Sequence, residues 1–294
     1  MPRGLILKGV GGFYTVECST GIYECRTRGV FRKKGITPVA GDFVNFSITD
    51  EAAREGWIEE IEERTNIFIR PPVANVNQMA VVMARTHPEP DFLLVDKLLI
   101  TAEKNGITPL IIINKIDLIT EQELTEIMNI YKGTGYHVVP MSKVGKQGYD
   151  ELHEKLKGCR TVFAGQSGVG KSTILNNIID SWVMETGDMS KIQRGRHTTR
   201  HVQLLCLDND GYVVDTPGFS SMSLEGIEYS ELPSMYPEFN KLEGQCKFNR
   251  CSHIKEPGCA VKGAVMSGEI SATRYECYQR LYEELKLQYE NRYR

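Results

Sequence analysis

The sequence predicts a multidomain chain of α/β plus β type. A small β-barrel comes first, an α/β layer sandwich second and a small metal-stapled segment with helices last. Three observations predict this. Residues 1 to about 68 alternate apolar and polar side chains in short runs broken by glycine, the pattern of short half-buried strands. From about residue 71, strand-length apolar runs alternate with helical spacing, as in a mostly parallel sheet covered by helices. After about residue 220, cysteines crowd into a loop-rich stretch ahead of one long helical pattern. Boundaries are expected at 1–70, 71–222 and 223–294.

Composition agrees. The 294 residues are 41% hydrophobic and 25% charged, which excludes disordered, collagen-like and disulfide-scaffold chains. The net charge of −3 excludes a whole-body polycation, so any nucleic-acid contact must come from local patches. The longest charge-free stretch, Pro71–Ala84, is too short to span a membrane. The first residues, MPRGLILKGVGGFY, lack the apolar core of a signal peptide, and a cytoplasmic protein is expected. The eight cysteines then read as thiols or metal ligands.

In the first domain, Gly12-Phe-Tyr-Thr-Val-Glu-Cys18, Gly21-Ile-Tyr-Glu-Cys25, Gly41-Asp-Phe-Val-Asn-Phe-Ser-Ile48 and Trp57-Ile-Glu-Glu-Ile-Glu62 share the period-two rhythm. About five such strands suit an OB-fold barrel. Ten basic and ten acidic residues cancel over 1–70, yet Arg26, Arg28, Arg32, Lys33 and Lys34 fall on one expected hairpin, with Tyr23 and Phe31 as stacking candidates. Such patches bind single-stranded RNA in OB-folds. A plain solvated face fits the same run.

Pro71-Pro72 marks the exit. In the second domain Met79–Ala84 and Leu110–Ile113 read as buried strands. Asp91–Lys104 is helical with a stop at Asn105-Gly106. Glu121–Tyr131 and Gly148–Leu156 read as helices, and Tyr136–Val139 as extended. Arg160–Ala164 leads to Gly165, and Thr173–Ile179 is helical. Val202–Leu207 and Tyr212–Val214 read as strands, and Ala272–Tyr289 as a terminal helix.

The chemistry concentrates in three motifs. Gly165-Gln166-Ser167-Gly168-Val169-Gly170-Lys171-Ser172 satisfies G-x-x-x-x-G-K-[ST] between an apolar strand and a helix that continues through Thr173. Its amides would cradle phosphate oxygens at a helix N-terminus. Lys171 would reach the β- and γ-phosphates, and Ser172 would ligate Mg²⁺. Asp215-Thr-Pro-Gly218, 44 residues beyond Lys171, offers a carboxylate for Mg²⁺ through water and a Gly218 amide for the γ-phosphate. Asn114-Lys115-Ile116-Asp117 places a carboxylate that can accept from guanine N1–H and the N2 amine, which argues for GTP over ATP. Ser142-Lys143 could offer an amide to guanine O6.

The order is permuted: the guanine motif precedes the phosphate loop. Closely spaced termini allow such a pocket to assemble. The segment after Gly218 then leads directly into the C-terminal residues, so a γ-phosphate-dependent change could pass onward.

Between the phosphate loop and Asp215 lies Lys191–Arg200, KIQRGRHTTR. Thr199 is the first candidate for a mobile Mg²⁺ ligand and Thr198 the second. Lys191, Arg194, Arg196 and Arg200 suit RNA phosphates. Phe219 occupies the place where many GTPases carry a water-orienting Gln. His197 is the nearest replacement; a solvent-exposed histidine is the competing reading. Cys246-x4-Cys251-x-His253-x5-Cys259 offers four N/S ligands, suited to a closed structural Zn²⁺ site that supplies core energy to a loop-rich segment. Cys277, in the helical stretch, reads as core.

Together, the permuted order, GQSGVGKS, DTPGF, GRHTTR and CKFNRCSHIKEPGCAV resemble the RsgA family (also YjeQ or YloQ), the bacterial ribosome small-subunit-dependent GTPases. The resemblance covers nearly the whole chain. It implies an OB-fold, a circularly permuted P-loop GTPase domain and a zinc-binding C-terminal domain. It also implies GTP hydrolysis stimulated by the small (30S) subunit with its 16S rRNA, late in that subunit's maturation. The expected cofactors are GTP/GDP, Mg²⁺ and one Zn²⁺, and the expected state is a monomer without membrane attachment. Two other classes remain open on the residues alone: a GTP-switched RNA-binding module with incidental hydrolysis, and a P-loop kinase or ATPase, against which Asn114–Asp117 argues. A hydrolase using the cysteine cluster fits worst, because four ligands leave no open position.

Overall fold

The computed structural model describes residues 1–29, 31, 35–69, 71–186, 202–219, 224 and 226–291. The chain packs as two compact units. One comprises Met1–Gln78, His153–Phe163 and Leu175–Phe219; the other comprises Met79–Leu152, Ala164–Ile174 and Ser220–Arg294. Among the described residues no helix is long and apolar enough to cross a membrane.

In the first unit five strands close on themselves: β1 (Arg3–Val10), β2 (Phe13–Cys18), β3 (Gly21–Thr27), β4 (Phe43–Asp50) and β5 (Glu55–Ile61). β1 pairs antiparallel with β2 and β4, β2 with β3 and β4 with β5, while β3 runs parallel to β5. This is the five-stranded, OB-like barrel. Its core holds Ile6, Val16, Tyr23, Phe31, Val44, Phe46 and Ile58.

Tyr23 and Phe31 are therefore core residues, not stacking platforms: Tyr23 is 1% exposed and Phe31 6%. β3 pairs with β2 and β5, Arg26 lies on β3, and Arg28 follows it and pairs with Glu59. Arg32, Lys33 and Lys34 lie outside the described residues. Among the described barrel residues the exposed aromatic is Phe13, with the Arg26 guanidinium carbon 4.5 Å from its ring centre.

A two-stranded sheet, β6 (Ile67–Ile69) and β7 (Pro72–Ala74), occupies the point that the prolines mark as an exit. β11 (Arg160–Ala164), β12 (Gln203–Cys206) and β13 (Tyr212–Phe219) belong largely to the same unit, and β12 pairs antiparallel with both β13 and β1.

The second unit carries β8 (Gln78–Ala84), β9 (Thr108–Asn114) and β10 (His137–Pro140), with β9 and β10 parallel. Every residue of β8 is buried, and so are six of the seven in β9, as expected for a sheet covered on both faces. α1 (Phe92–Lys104) starts at Asp91, whose side chain accepts from the Leu94 amide. α2 (Glu121–Ile130) starts with a reciprocal Thr120–Glu123 capping box. α3 (Tyr149–Leu156) and α4 (Lys171–Thr186) follow; α4 runs seven residues past the expected stop at Ile179.

The C-terminal residues form α5 (Pro237–Asn240), α6 (Ala260–Met266) and α7 (Ala272–Asn291). They own a core: Leu232, Tyr236, Phe239, Val261, Tyr278, Leu281 and Leu285 pack with Ile100 of α1. Metal is thus not their sole source of packing energy, contrary to the loop-rich reading of the sequence. Cys277 is buried, as its helical position suggests. Arg274 is fully buried, pairs with Asp96 of α1 and with Glu238 at 2.8 Å, and lies over the Tyr236 ring.

Candidate functional site

β11 delivers the chain to Gly165, and α4 begins at Lys171. The turn between them needs glycine at two places for a reason beyond flexibility. A Cβ on Gly165 would sit 2.1 Å from the Val82 carbonyl oxygen, and one on Gly170 would sit 2.3 Å from Asn114 Nδ2; their φ values are +137° and +101°. The loop is thereby pressed against β8 and against the end of β9. Ser167, Gly168, Ser172 and Thr173 are exposed, and Val169 is buried beneath them. Lys171 Nζ donates to the carbonyls of Gly165 and Gln166 at 2.6 and 2.8 Å. Burial holds its ammonium below the usual lysine range.

The motif that ends β9 is latched to this loop. Asn114 Nδ2 donates to the Val169 carbonyl at 2.8 Å, and Lys115 Nζ to the Gly168 carbonyl at 2.8 Å. Lys115 also donates to the His87 carbonyl, in the segment after β8. Asp117 is exposed, and its Oδ1 accepts from Ser142 Oγ at 2.5 Å. Ser142, itself buried, takes the Val144 amide on its hydroxyl at 2.9 Å. The Ile116 amide donates to the Met141 carbonyl, which ties the two loops together. So Asn114 and Lys115 are brought together with the phosphate loop at Val169 and Gly168, and Asp117, further along the same motif, with Ser142. Ser172 presents a hydroxyl oxygen at the start of α4, a donor type that suits Mg²⁺.

Asp215-Thr-Pro-Gly218 does not follow its strand. β13 continues through it to Phe219. His197, Thr198 and Thr199, with Lys191, Arg194, Arg196 and Arg200, lie outside the described residues.

Cys246, Cys251, His253 and Cys259 converge, with all four ligand atoms within 4.8 Å of one another. Cys246 Sγ lies 4.0 Å from Cys259 Sγ and 3.6 Å from His253 Nδ1; His253 Nδ1 lies 3.3 Å from Cys259 Sγ. A tetrahedral ion with ligand bonds of about 2.0–2.3 Å spaces its ligands by roughly 3.5–3.8 Å, so the donor set fits Zn²⁺. The Ala260 and Lys262 amides donate to the Cys246 and Cys259 sulfurs. Sequence reasoning missed the His87 carbonyl and the supports of His253 described below. All act through folded-chain contacts, and none carries a motif.

A family model described as RsgA GTPase matches residues 61–225. The chain belongs to the RsgA GTPase family. A second model, the RsgA N-terminal domain, matches residues 3–58. The chain is 53% identical over 289 residues to a small ribosomal subunit biogenesis GTPase RsgA of Ruminiclostridium cellulolyticum, covering 97% of this chain and 94% of that one. A protein of the same name in Geobacillus kaustophilus is 46% identical over 290 residues, covering 97% and 98%. Among solved structures, YloQ, a circularly permuted GTPase, superposes with a TM-score of 0.81 at 38% identity, covering 98% of this chain and 96% of that one. YjeQ from Thermotoga maritima gives 0.80 at 38%, covering 97% and 98%. RsgA membership makes the chain a GTPase, with an OB-like barrel, a circularly permuted GTPase domain and C-terminal helices that carry a Cys/His cluster.

Proposed function

We propose that this RsgA-family GTPase acts in late maturation of the small (30S) ribosomal subunit. It binds the subunit and its 16S rRNA in the GTP state, and hydrolysis stimulated by the subunit drives its release. The observation that carries the reading is the latch between Asn114, Lys115 and the phosphate loop. It supports a reading in which one ligand spans a base site at Asp117 and a phosphate site at the loop.

In this reading Asp117, fixed by Ser142, accepts from guanine N1–H and N2. The loop Gly165–Gly170, with Gln166, Ser167, Gly168 and Val169, offers backbone amides to the phosphates, and Lys171 and Thr173 complete the cradle. Asp215 serves Mg²⁺ through a water, and the Gly218 amide senses the γ-phosphate. Ser172 and Thr199 hold Mg²⁺, which when bound neutralises charge between β- and γ-phosphates. His197 orients the attacking water. Cys246, Cys251, His253 and Cys259 hold one structural Zn²⁺. The domains run 1–70, 71–222 and 223–294, and the protein works as a cytoplasmic monomer. The exposed pair of Phe13 and Arg26 supports an RNA contact on the barrel, since a guanidinium over an aromatic ring can extend into base stacking.

Co-sedimentation tests the cycle. With a non-hydrolysable GTP analogue the chain should pellet with small subunits and not with large ones; with GDP it should stay in the supernatant. Equal pelleting in both nucleotide states contradicts hydrolysis-driven release.

A further inference from the structure

The loop that carries His253 is held from outside the four proposed ligands. Glu256 turns its carboxylate back into that loop and accepts four bonds there. Oε1 takes the Ser252 amide at 2.8 Å and the Ser252 hydroxyl at 2.7 Å; Oε2 takes the Ile254 amide at 3.2 Å and the Lys255 amide at 3.1 Å. A carboxylate has about four lone-pair sites, so this one is saturated. Charge-assisted bonds of this kind are the stronger class.

α7 holds the same loop by its carbonyls. Tyr275 Oη donates to the His253 carbonyl at 2.7 Å, and Tyr278 Oη to the Ser252 carbonyl at 2.5 Å. Between these supports His253 keeps a left-handed backbone, φ +60°. That conformation is uncommon for a residue with a Cβ and persists only where the surroundings over-determine it. It is also the conformation in which Nδ1 faces the Cys246 and Cys259 sulfurs.

We propose that Glu256, Tyr275 and Tyr278 are positioning residues that fix His253 as the fourth metal ligand, so that the loop is set before the ion arrives. This rests on the metal-centre reading of the cysteine cluster. None of the three supplies an atom to the ligand group. Their effect passes through the backbone of Ser252 and His253, as outer-shell partners orient ligands in other metal sites.

The test uses the full chain, stripped with a chelator and titrated with Co²⁺, followed by Zn²⁺ competition. Wild type should take up one Co²⁺ with the visible absorption of a tetrahedral thiolate–imidazole site. Glu256→Gln should weaken Zn²⁺ binding about 10–100-fold and shift the Co²⁺ bands. Tyr275→Phe, which keeps the ring, should weaken binding by a smaller factor. His253→Ala should cost less in the Glu256→Gln background than in wild type, because the histidine is already misplaced. Unchanged Zn²⁺ affinity in Glu256→Gln and Tyr275→Phe, with only a lower Tm, would overturn the proposal and leave these residues as loop supports. Wild type that binds neither ion overturns the metal-centre reading itself, a separate and recognisable result.

Discussion

Asn114 and Val169 stand 55 residues apart in the chain, yet the Asn114 side-chain amide donates to the Val169 carbonyl at 2.8 Å. Both are buried. This bond joins the guanine-type motif to the phosphate loop, whatever order the two take in the sequence.

Asn114→Ala leaves the Val169 carbonyl buried without that partner, a cost of about 1–3 kcal/mol. GTP affinity should fall roughly tenfold or more, since about 1.4 kcal/mol is one decade. Nucleotide titration by calorimetry reads this directly. Wild-type affinity in the variant would remove the latch from the explanation.

Gly170→Ala attacks the same contact from the other side. The new methyl meets Asn114 Nδ2 at 2.3 Å, and φ +101° is unfavourable for alanine. GTP binding should be lost while the circular dichroism spectrum stays near wild type. An alanine variant that binds GTP normally would contradict the close approach.

Much of this region is legible in the sequence. β11, α1 and the helix after Gly165 follow from apolar period, and the motif spacings name the residues that meet. Other parts are not. β1 buries Gly4, Leu5, Ile6 and Leu7 in succession, because it pairs with β2, β4 and β12, so no alternation marks it. The side of a barrel strand that faces inward is set by closure, and Tyr23 points inward despite its basic neighbours. β6 precedes Pro71 and β7 begins at Pro72, where the first residue of a strand tolerates proline. Two of the His253 supports, Tyr275 and Tyr278, come from α7, more than twenty residues downstream.

Arg274 holds two buried carboxylates, Asp96 and Glu238, between α1, α5 and α7. Arg274→Met leaves both without their cation. A broken buried pair costs about 3–5 kcal/mol, so thermal unfolding should shift down by several degrees or more. A Tm within 1–2 °C of wild type, roughly the noise of a small surface change, would contradict this role.

Burial pushes the thiols of Cys25 and Cys277 up to about 12. At pH 8 the thiolate fraction of each is on the order of 10⁻⁴, and the thiolate is the reactive form. Iodoacetamide on the native chain should leave both unlabelled in peptide mass spectra, with labelling after unfolding in guanidinium. Rapid native labelling of Cys25 would show that the barrel core opens far more readily than its packing implies.

GTP hydrolysis by the full chain tests the central proposal most directly. It should be measured alone and with small subunits, large subunits or free RNA. Strong stimulation by small subunits alone is the predicted result. Tight GTP binding with no stimulation by small subunits would contradict it and leave a nucleotide-switched binding module in its place.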